Sequence, residues 1–317
     1  MQKKPPVGLA ARSQVGFASR LKKDVFVNRY LYLMLVPVVG FYVIFHYAPM
    51  YGAVIAFMDY NPAKGVTGSK WIGLQHFTEF FNSYYIWRLL KNTFLLSFYS
   101  LLFGFPAPII FALLINELRV KFFQRTVQTI TYMPHFISTV VIAGIVVELL
   151  GSDGLFNNII AAFGGPRNNF MVMPEMFRTI YVGSGIWTDL GWGSIIYLAA
   201  ITTVNPHLYE AAAIDGAGRF RQAISITIPS IMPTVVILLI LQIGGLLNVG
   251  WEKVLLLYNP VIYDTADIIS TYVYRRGLEQ SDYSYSAAIG LFNSVINFAL
   301  IYTANRISRK VNETSVW

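Results

Sequence analysis

The sequence contains no cysteine among its 317 residues, and only 13% of its residues are charged. The absence of cysteine excludes disulfides, thiolate nucleophiles and cysteine-ligated metal sites, but it leaves the redox compartment undecided. The low charge content excludes an ordinary soluble domain, because such domains contain about 25% charged residues. A basic nucleic-acid-binding domain is disfavoured as well, since that function needs positive charge clustered on one soluble face.

The sequence also lacks the common catalytic signatures. It has no P-loop spacing, no GxSxG nucleophile elbow and no HExxH zinc motif, so ATP is not bound by the P-loop route. Its four histidines are too far apart along the chain to suggest a local metal site. We therefore expect a transport protein rather than an enzyme, with no catalytic residue, metal or cofactor of its own.

Apolar residues are abundant, at 55% of the chain, and the mean hydropathy is +0.53. An aromatic content of 15% excludes a disordered chain. Six stretches are free of Asp, Glu, Lys and Arg, and each can supply the roughly 20 residues of a membrane-spanning helix. They are residues 30–58, 92–116, 126–147, 190–209, 222–251 and 283–305.

These stretches predict an all-α bundle of six transmembrane helices. The fourth is short unless it begins near Ile180, which takes Asp189 into the membrane. Runs such as Val235–Leu241 lack the alternation of a transmembrane β-barrel strand. The predicted transmembrane domain therefore covers residues 30–305.

The positive charges predict an orientation with both termini in the cytoplasm. Lys and Arg exceed Asp and Glu by 24 to 16, a net charge of +8, and 15 of the 24 lie in segments that this orientation places inside. Residues 1–29 then form a basic cytoplasmic segment, followed by a first helix that is retained rather than cleaved as a signal peptide. Residues 306–317 form a cytoplasmic tail.

Residues 205–229 form a cytoplasmic loop between the fourth and fifth predicted spans. Asn205 is a good helix N-cap, and Pro206 suits the first helical position, where its missing N–H has no cost. A short helix over 207–215 is then predicted to end at Gly216 and Gly218, which tolerate a left-handed backbone. An exposed helix tied to two spans suits binding in a groove on a partner protein.

This loop resembles the EAA signature of bacterial ABC importer permeases. Glu210-Ala211-Ala212 is followed after three residues by Gly216, and after nine more by Ile226-Thr227-Ile228-Pro229; only Ile228 departs, since the family usually has Leu there. The adjoining residues 217–220 (AGRF) are similar to the sugar-importer branch. Residues 47–81 resemble the start of the polysaccharide-type (LplB-like) permeases of the carbohydrate uptake family.

The resemblance implies the type I importer (MetI-like) fold, with a core permease over about 88–305, in the bacterial inner membrane. It implies a second homologous permease, two cytoplasmic ATPase subunits and an extracytoplasmic solute-binding protein as partners, with an oligosaccharide as cargo. The lipid bilayer surrounds the chain, and no nucleic acid is involved. Residues implied in coupling to the ATPase are Glu210, Ala211, Ala212, Asp215, Gly216, Arg219 and Pro229.

The expected sugar path lies near the membrane midplane. Asp189 is the acidic residue well inside a predicted span, and intramembrane carboxylates are expensive enough to suggest function. Trp187 and Trp192 offer apolar ring faces to a sugar. By distance from the EAA loop, the resemblance aligns both tryptophans with aromatic residues on the family's sugar path, whereas Asp189 departs from that pattern. A structural role in an interfacial aromatic belt is the alternative for the tryptophans.

Three asparagines complete the predicted path. Asn248 lies where the family places sugar-contacting asparagines. Asn293 and Asn297 are four residues apart and share one helix face. Asparagine also joins membrane helices by hydrogen bonds, so a structural role is the alternative for this pair.

Other functions stay open at this point. An importer of another organic solute, such as a polyamine or a phosphate ester, would use a similar EAA loop. A secondary transporter or channel would work without an ATPase, but it predicts an internal repeat and several ion-coupling carboxylates within spans.

Overall fold

The computed structural model describes residues 24–247 and 249–312. Most of the predicted basic N-terminal segment (1–23), Asn248, and the end of the predicted tail (313–317) lie outside the described residues. Two units are distinguished by their internal contacts: the first ends at Val54 and the second begins at Ile55.

The described part of the first unit, from Asp24 onward, is mostly helical. Helix α1 (Arg29–Tyr42) continues through a π-helical turn, Val43–Tyr47, and a short helical piece, Ala48–Met50. Pro37 in α1 and Pro49 in the short piece have no N–H to donate within this helical run. Asp24 lies just before α1 and accepts hydrogen bonds from the Asn28 amide and the Tyr32 hydroxyl, each at 2.7 Å.

The second unit is mostly helical. Its longer α-helices are α2 (Gln75–Phe81), α3 (Ile86–Tyr99), α4 (Pro106–Asn116), α5 (Lys121–Tyr132), α6 (Thr139–Leu150), α7 (Leu155–Ala162), α8 (Phe177–Thr202), α9 (Pro206–Ile214), α10 (Ile228–Gly244), α11 (Trp251–Leu257), α12 (Ile269–Tyr274) and α13 (Tyr283–Asn312).

Short pieces join these helices. Single helical turns are Gly65–Gly68, Arg219–Gln222 and Tyr263–Ala266, 3₁₀ turns are Tyr51–Phe57, Met133–Phe136, Phe170–Val172 and Pro260–Ile262, and π-helical turns are Ser100–Gly104, Ala223–Thr227 and Arg275–Glu279. Strands β1 (Met58–Asp59) and β2 (Lys70–Trp71) pair antiparallel, with Met58 opposite Trp71.

Five helical segments of the described chain are long and apolar enough to cross a membrane. They are Arg29–Phe57, Ile86–Asn116, Thr139–Ala162, Arg219–Gly244 and Tyr283–Lys310. They overlap five of the six predicted spans, so the prediction of a helical membrane bundle is confirmed.

The predicted third span is wrong as a single helix over 126–147. Helix α5 ends at Tyr132, and a 3₁₀ turn containing Pro134 separates it from α6. Ser138 is the N-cap of α6, and its side chain accepts a hydrogen bond from the Val141 amide at 3.4 Å. Proline and an N-capping serine interrupt the helix without adding charge, and a search for uncharged stretches cannot detect such an interruption.

Helix α8 corresponds to the predicted fourth span. Its 26 residues extend for about 39 Å, which is long enough to cross the hydrocarbon core. It is less apolar than the five segments above because it contains four glycines and Asp189, so its crossing stays a prediction. It packs along α4 and α5, and its buried Tyr197 and Ile201 contact a core that includes Ala112 of α4.

A buried ion cluster joins α3 to α12. The fully buried Asp267 accepts hydrogen bonds from Arg88 at 3.3 Å, Arg275 at 2.8 Å and the Thr271 hydroxyl at 2.9 Å. Burial lowers the pKa of Arg275, but the hydrogen bond and charge of Asp267 outweigh burial and raise it. Pairing with two arginines satisfies a carboxylate that would otherwise be costly to bury.

Candidate functional site

A cavity of about 780 Å³ opens beside the middle of α8. Its wall is formed by α4, the turn Met133–Phe136, α6, α8, α10 and the start of α11. This volume lies in the range of small-molecule sites, and the lining is largely apolar with a few polar groups, as in such sites. The charged and hydrogen-bonding side chains on the wall include Ser100, His135, Thr139, Thr188, Asp189, Gln242, Glu252 and Lys253.

Asp189 lies on this wall near the middle of α8, and two thirds of its side chain is exposed. Its Oδ1 is 3.0 Å from Nδ1 of His135, a residue of the turn that interrupts the predicted third span. The imidazole of His135 stacks on the Trp192 ring, with centroids 4.7 Å apart and planes 6° from parallel. The ring stack and the hydrogen bond together fix the orientation of Asp189 relative to the cavity.

Lys253 lies on the same wall, in the first turn of α11. Its ammonium donates a hydrogen bond to the Tyr181 carbonyl at 3.0 Å and stands 4.8 Å from the centroid of the Tyr181 ring. A Cβ atom at Gly185 would be 3.4 Å from Nζ, an ordinary van der Waals contact, so the ammonium lies close beside α8. Burial lowers the pKa of Lys253 to about 8, and the charge of Asp189 opposes that shift.

The other residues predicted for the sugar path lie away from this wall in the described chain. Trp187 and Trp192 are 44% and 45% exposed, and neither lines the cavity, although Trp192 stacks on His135. Asn297 is buried and accepts a hydrogen bond from the Leu247 amide at 3.1 Å, so it ties the residues after α10 to α13. Asn293 is buried beside a second, apolar cavity of about 480 Å³ between α11, α12 and α13. Asn248 is outside the described residues.

Of the polar side chains on the wall, the sequence predicts only Asp189, and three of the others show why. Lys253 lies two residues beyond the predicted fifth span, so the search for residues within spans does not include it. His135 is within the predicted third span, where the search considered histidine only as a metal ligand. Gln242 of α10 is also on the wall and is uncharged, so the charge search passed over it. An inspection of every polar side chain within spans would have found the last two.

The predicted coupling helix is α9, and both ends form as expected. The Asn205 side chain accepts a hydrogen bond from the His207 amide at 3.0 Å, and Pro206 is in the first turn. At the other end, Gly216 has φ +77°, the Ala217 amide donates to the Ala212 carbonyl at 2.8 Å, and the Gly216 amide donates to Ala213 at 3.1 Å. These two bonds are the Schellman arrangement, which requires a left-handed residue at Gly216.

Gly218 does not play the predicted part in ending α9. Its φ is −68°, and it is the N-cap of the next turn, Arg219–Gln222. The chain therefore needs one left-handed glycine to leave α9, and Gly218 starts the segment that returns towards the membrane helices.

The surface of α9 is open. None of its residues is buried, and Ile214 just before the turn and Phe220 just after it are 87% and 81% exposed. Glu210 is exposed and lies 3.0 Å from Nδ1 of His207. Neighbouring apolar and acidic side chains at full exposure are typical of a surface that binds another protein.

The loop is fixed to the rest of the second unit by polar contacts. Arg219 donates to the Glu117 carboxylate at 3.1 Å, and this pair joins the loop to the end of α4. The Tyr209 and Thr227 hydroxyls are 2.9 Å apart. Pro229 stands in the first turn of α10, and Ala211, Ala212 and Asp215 lie on α9 or at its end.

Residues 104–313 match the protein family described as "Binding-protein-dependent transport system inner membrane component". In Bacillus subtilis strain 168, the polygalacturonan/rhamnogalacturonan transport system permease protein YteP is 46% identical over 92% of the chain and 91% of its own length. Protein LplB of the same strain is 43% identical over 98% of the chain and 96% of its own length.

Two solved structures are similar over nearly the whole chain. One is a crystal structure of a bacterial ABC transporter involved in the import of the acidic polysaccharide alginate, with a TM-score of 0.86, 46% identity, and coverage of 92% of this chain and 99% of that chain. The other is a bacterial alginate ABC transporter in complex with an alginate pentasaccharide-bound periplasmic protein, with a TM-score of 0.87, 45% identity, and coverage of 94% and 100%.

Proposed function

The chain belongs to the family of binding-protein-dependent transport system inner membrane components, and on this premise we propose a division of labour among its residues. As a member, it is a multi-pass membrane permease subunit of an ABC importer for oligosaccharides, and it is a transport component rather than an enzyme. In this proposal, α9 couples the permease to the ATPase, and the sugar passes through the cavity beside α8.

The coupling assignment depends on one observation above all. Helix α9 is capped at both ends, ends in a left-handed Gly216, and has no buried residue of its own. A helix without a buried residue gains little stability from burial, so its capped ends and open surface suit binding to a partner. The partner in this proposal is a cytoplasmic ATPase subunit, with Glu210 as a polar contact and Ile214 and Phe220 as apolar contacts.

The second part of the proposal places the sugar path in the cavity beside α8. Asp189, Glu252 and Gln242 on its wall supply acceptor oxygens for sugar hydroxyls, and His135 stands on the same wall. One such wall forms half of a path, and a second, homologous permease supplies the other half. An extracytoplasmic solute-binding protein delivers the sugar, and two ATPase subunits drive the cycle. The solved transporter in complex with a periplasmic protein supports this assembly.

The coupling assignment is tested by Glu210→Lys. Charge reversal at an exposed helix position costs little folding energy, but it removes the proposed acidic contact and repels any basic ATPase residue that pairs with Glu210. We expect the variant to insert normally with the second permease and to lose co-purification of the ATPase.

The matched control is Glu175→Lys. Glu175 is also an exposed carboxylate, and it precedes α8, about 39 Å along the helix axis from the end that leads into α9. It should leave the association unchanged. Normal co-purification of the ATPase with the Glu210 variant would overturn the assignment.

A further inference from the structure

The ammonium of Lys253 is a cation on the wall of the cavity without a carboxylate in contact. In the part of the chain that the structure describes, no acidic oxygen lies within 4.0 Å of its Nζ. Its contacts are the Tyr181 carbonyl at 3.0 Å and the Tyr181 ring at 4.8 Å. An ammonium has three donors, and the carbonyl takes one of them.

Keeping the ammonium of Lys253 charged in this partly buried position costs free energy. Burial lowers the pKa of Lys253 to about 8, because desolvation disfavours the charged form and the charge of Asp189 only partly opposes that effect. Neutral lysine would avoid the cost, yet at pH 7 the charged form still predominates. A desolvated cation without a close partner is stabilised most by an anion that enters the cavity.

We propose that Lys253 is the specificity-determining residue of the sugar path and binds the carboxylate of a sugar unit, so that the cargo is an acidic oligosaccharide. This inference rests on the proposed function, since it names the cargo of the same cavity. A uronic acid ring carries one carboxylate and several hydroxyls. The cavity wall matches that pattern with one ammonium and several acceptor oxygens, from Asp189, Glu252 and Gln242.

Asp189 and Glu252 on the same wall restrict where a sugar carboxylate can bind. A sugar carboxylate near Asp189 or Glu252 is repelled, while one at Lys253 is attracted, so the charges set the register of the sugar in the cavity. Oδ1 of Asp189 is engaged 3.0 Å from Nδ1 of His135, and no oxygen of Asp189 lies within 4.0 Å of Nζ of Lys253. The names of two similar proteins agree with this cargo class, because polygalacturonan and alginate are both polymers of uronic acids.

The test uses the complete transporter in proteoliposomes, with both permeases, the ATPase and the binding protein. The cargoes are radiolabelled galacturonate and mannuronate trisaccharides, their methyl esters, and maltotriose as a neutral sugar. Methyl esters keep the size and hydroxyls of the acids but remove the charge. The variants are Lys253→Met, which removes the charge at similar length, and Lys253→Arg, which keeps it.

We expect Lys253→Met to lower uptake of the acidic trisaccharides by about tenfold or more relative to the unaltered chain, as loss of a charge-assisted hydrogen bond predicts. Uptake of a methyl ester, relative to the unaltered chain, should change by less than about threefold. Lys253→Arg should retain most uptake of the acids. Comparing each variant with the unaltered chain on one cargo cancels any preference of the binding protein.

A second readout is the pH dependence. Uptake of the acids by the unaltered chain should fall between pH 7 and 9, because Lys253 loses its proton near pH 8, whereas the arginine variant should show no such fall. The other titratable groups that line the cavity, namely His135, Tyr181, Asp189, Tyr197 and Glu252, are present in both proteins, so the comparison cancels their titration.

The outcomes separate the inference from the proposed function. Uptake of maltotriose alone by the unaltered chain would leave an oligosaccharide importer in place and overturn the role of Lys253. Equal losses on acids and esters, or no loss on either, would overturn it too. If the unaltered chain imports none of these sugars, the oligosaccharide path itself fails.

Discussion

Two nearby glycines show how one backbone angle shapes the end of α9, the proposed coupling helix. Gly216 has φ +77° and Gly218 has φ −68°, and an added Cβ would meet nothing within 4 Å at either position. Alanine at 216 must hold a left-handed conformation, at a cost of about 1–2 kcal/mol, or open the turn. Alanine at 218 needs no such strain.

We therefore predict that Gly216→Ala weakens binding of the ATPase to the purified permease pair by about tenfold, while Gly218→Ala changes it by less than about twofold. Titration of the ATPase against the detergent-solubilised pair measures both affinities. Equal affinities for the two variants would show that the left-handed turn does not position the coupling helix.

At the same scale, the sequence predicts Asp189 for the cavity but not its neighbours. A carboxylate within an uncharged stretch is visible in the sequence, and its position at mid-helix follows from counting. Lys253 and His135 line the same cavity as Asp189, although they are 64 and 54 residues away from Asp189 along the chain. Only packing of α11 and the Met133–Phe136 turn against α8 brings them together, and no pattern within one segment encodes that contact.

Among the elements, α8 depends on glycine for its packing. A Cβ at Gly191 would clash with the Thr131 carbonyl and lie 2.8 Å from the Tyr132 ring of α5. A Cβ at Gly183 of the same helix would meet nothing within 4 Å. Overpacking of this kind costs about 1–3 kcal/mol, because the helices must separate or bend.

Gly191→Ala should therefore lower the thermal unfolding midpoint of the purified complex and reduce its yield. Gly183→Ala should leave the midpoint unchanged or raise it slightly, since alanine favours the helix. Differential scanning of the two variants in one detergent provides the comparison. The close packing of α5 on α8 would be contradicted if both variants unfolded at the midpoint of the unaltered chain.

The sequence predicts well which segments form helices, but it does not predict where a helix is interrupted. The uncharged stretches locate α3 with α4, α10 and α13, because each is long and apolar. The break between α5 and α6 comes from Pro134 and from Ser138 as an N-cap, and both residue types also occur inside membrane helices. That break matters for the site, since it places His135 on the cavity wall.

For the whole molecule, the net charge of +8 separates into two parts. The segments predicted to be cytoplasmic hold 15 Lys and Arg and 5 Asp and Glu, a net of +10, and the remainder has a net of −2. By the positive-inside rule, this positive excess predicts that both termini are in the cytoplasm. Lys253 belongs to the slightly acidic remainder, which holds 9 Lys and Arg against 11 Asp and Glu.

The central claim is that this chain passes an oligosaccharide through the membrane at the expense of ATP hydrolysed by a separate subunit. The most direct test is uptake of a radiolabelled oligosaccharide into proteoliposomes that hold the complete complex, with the binding protein outside and ATP inside. The account predicts uptake that stops when ATP is omitted or when the ATPase is replaced by a variant unable to hydrolyse it. Uptake that continues without the ATPase, driven by an ion gradient, would contradict it.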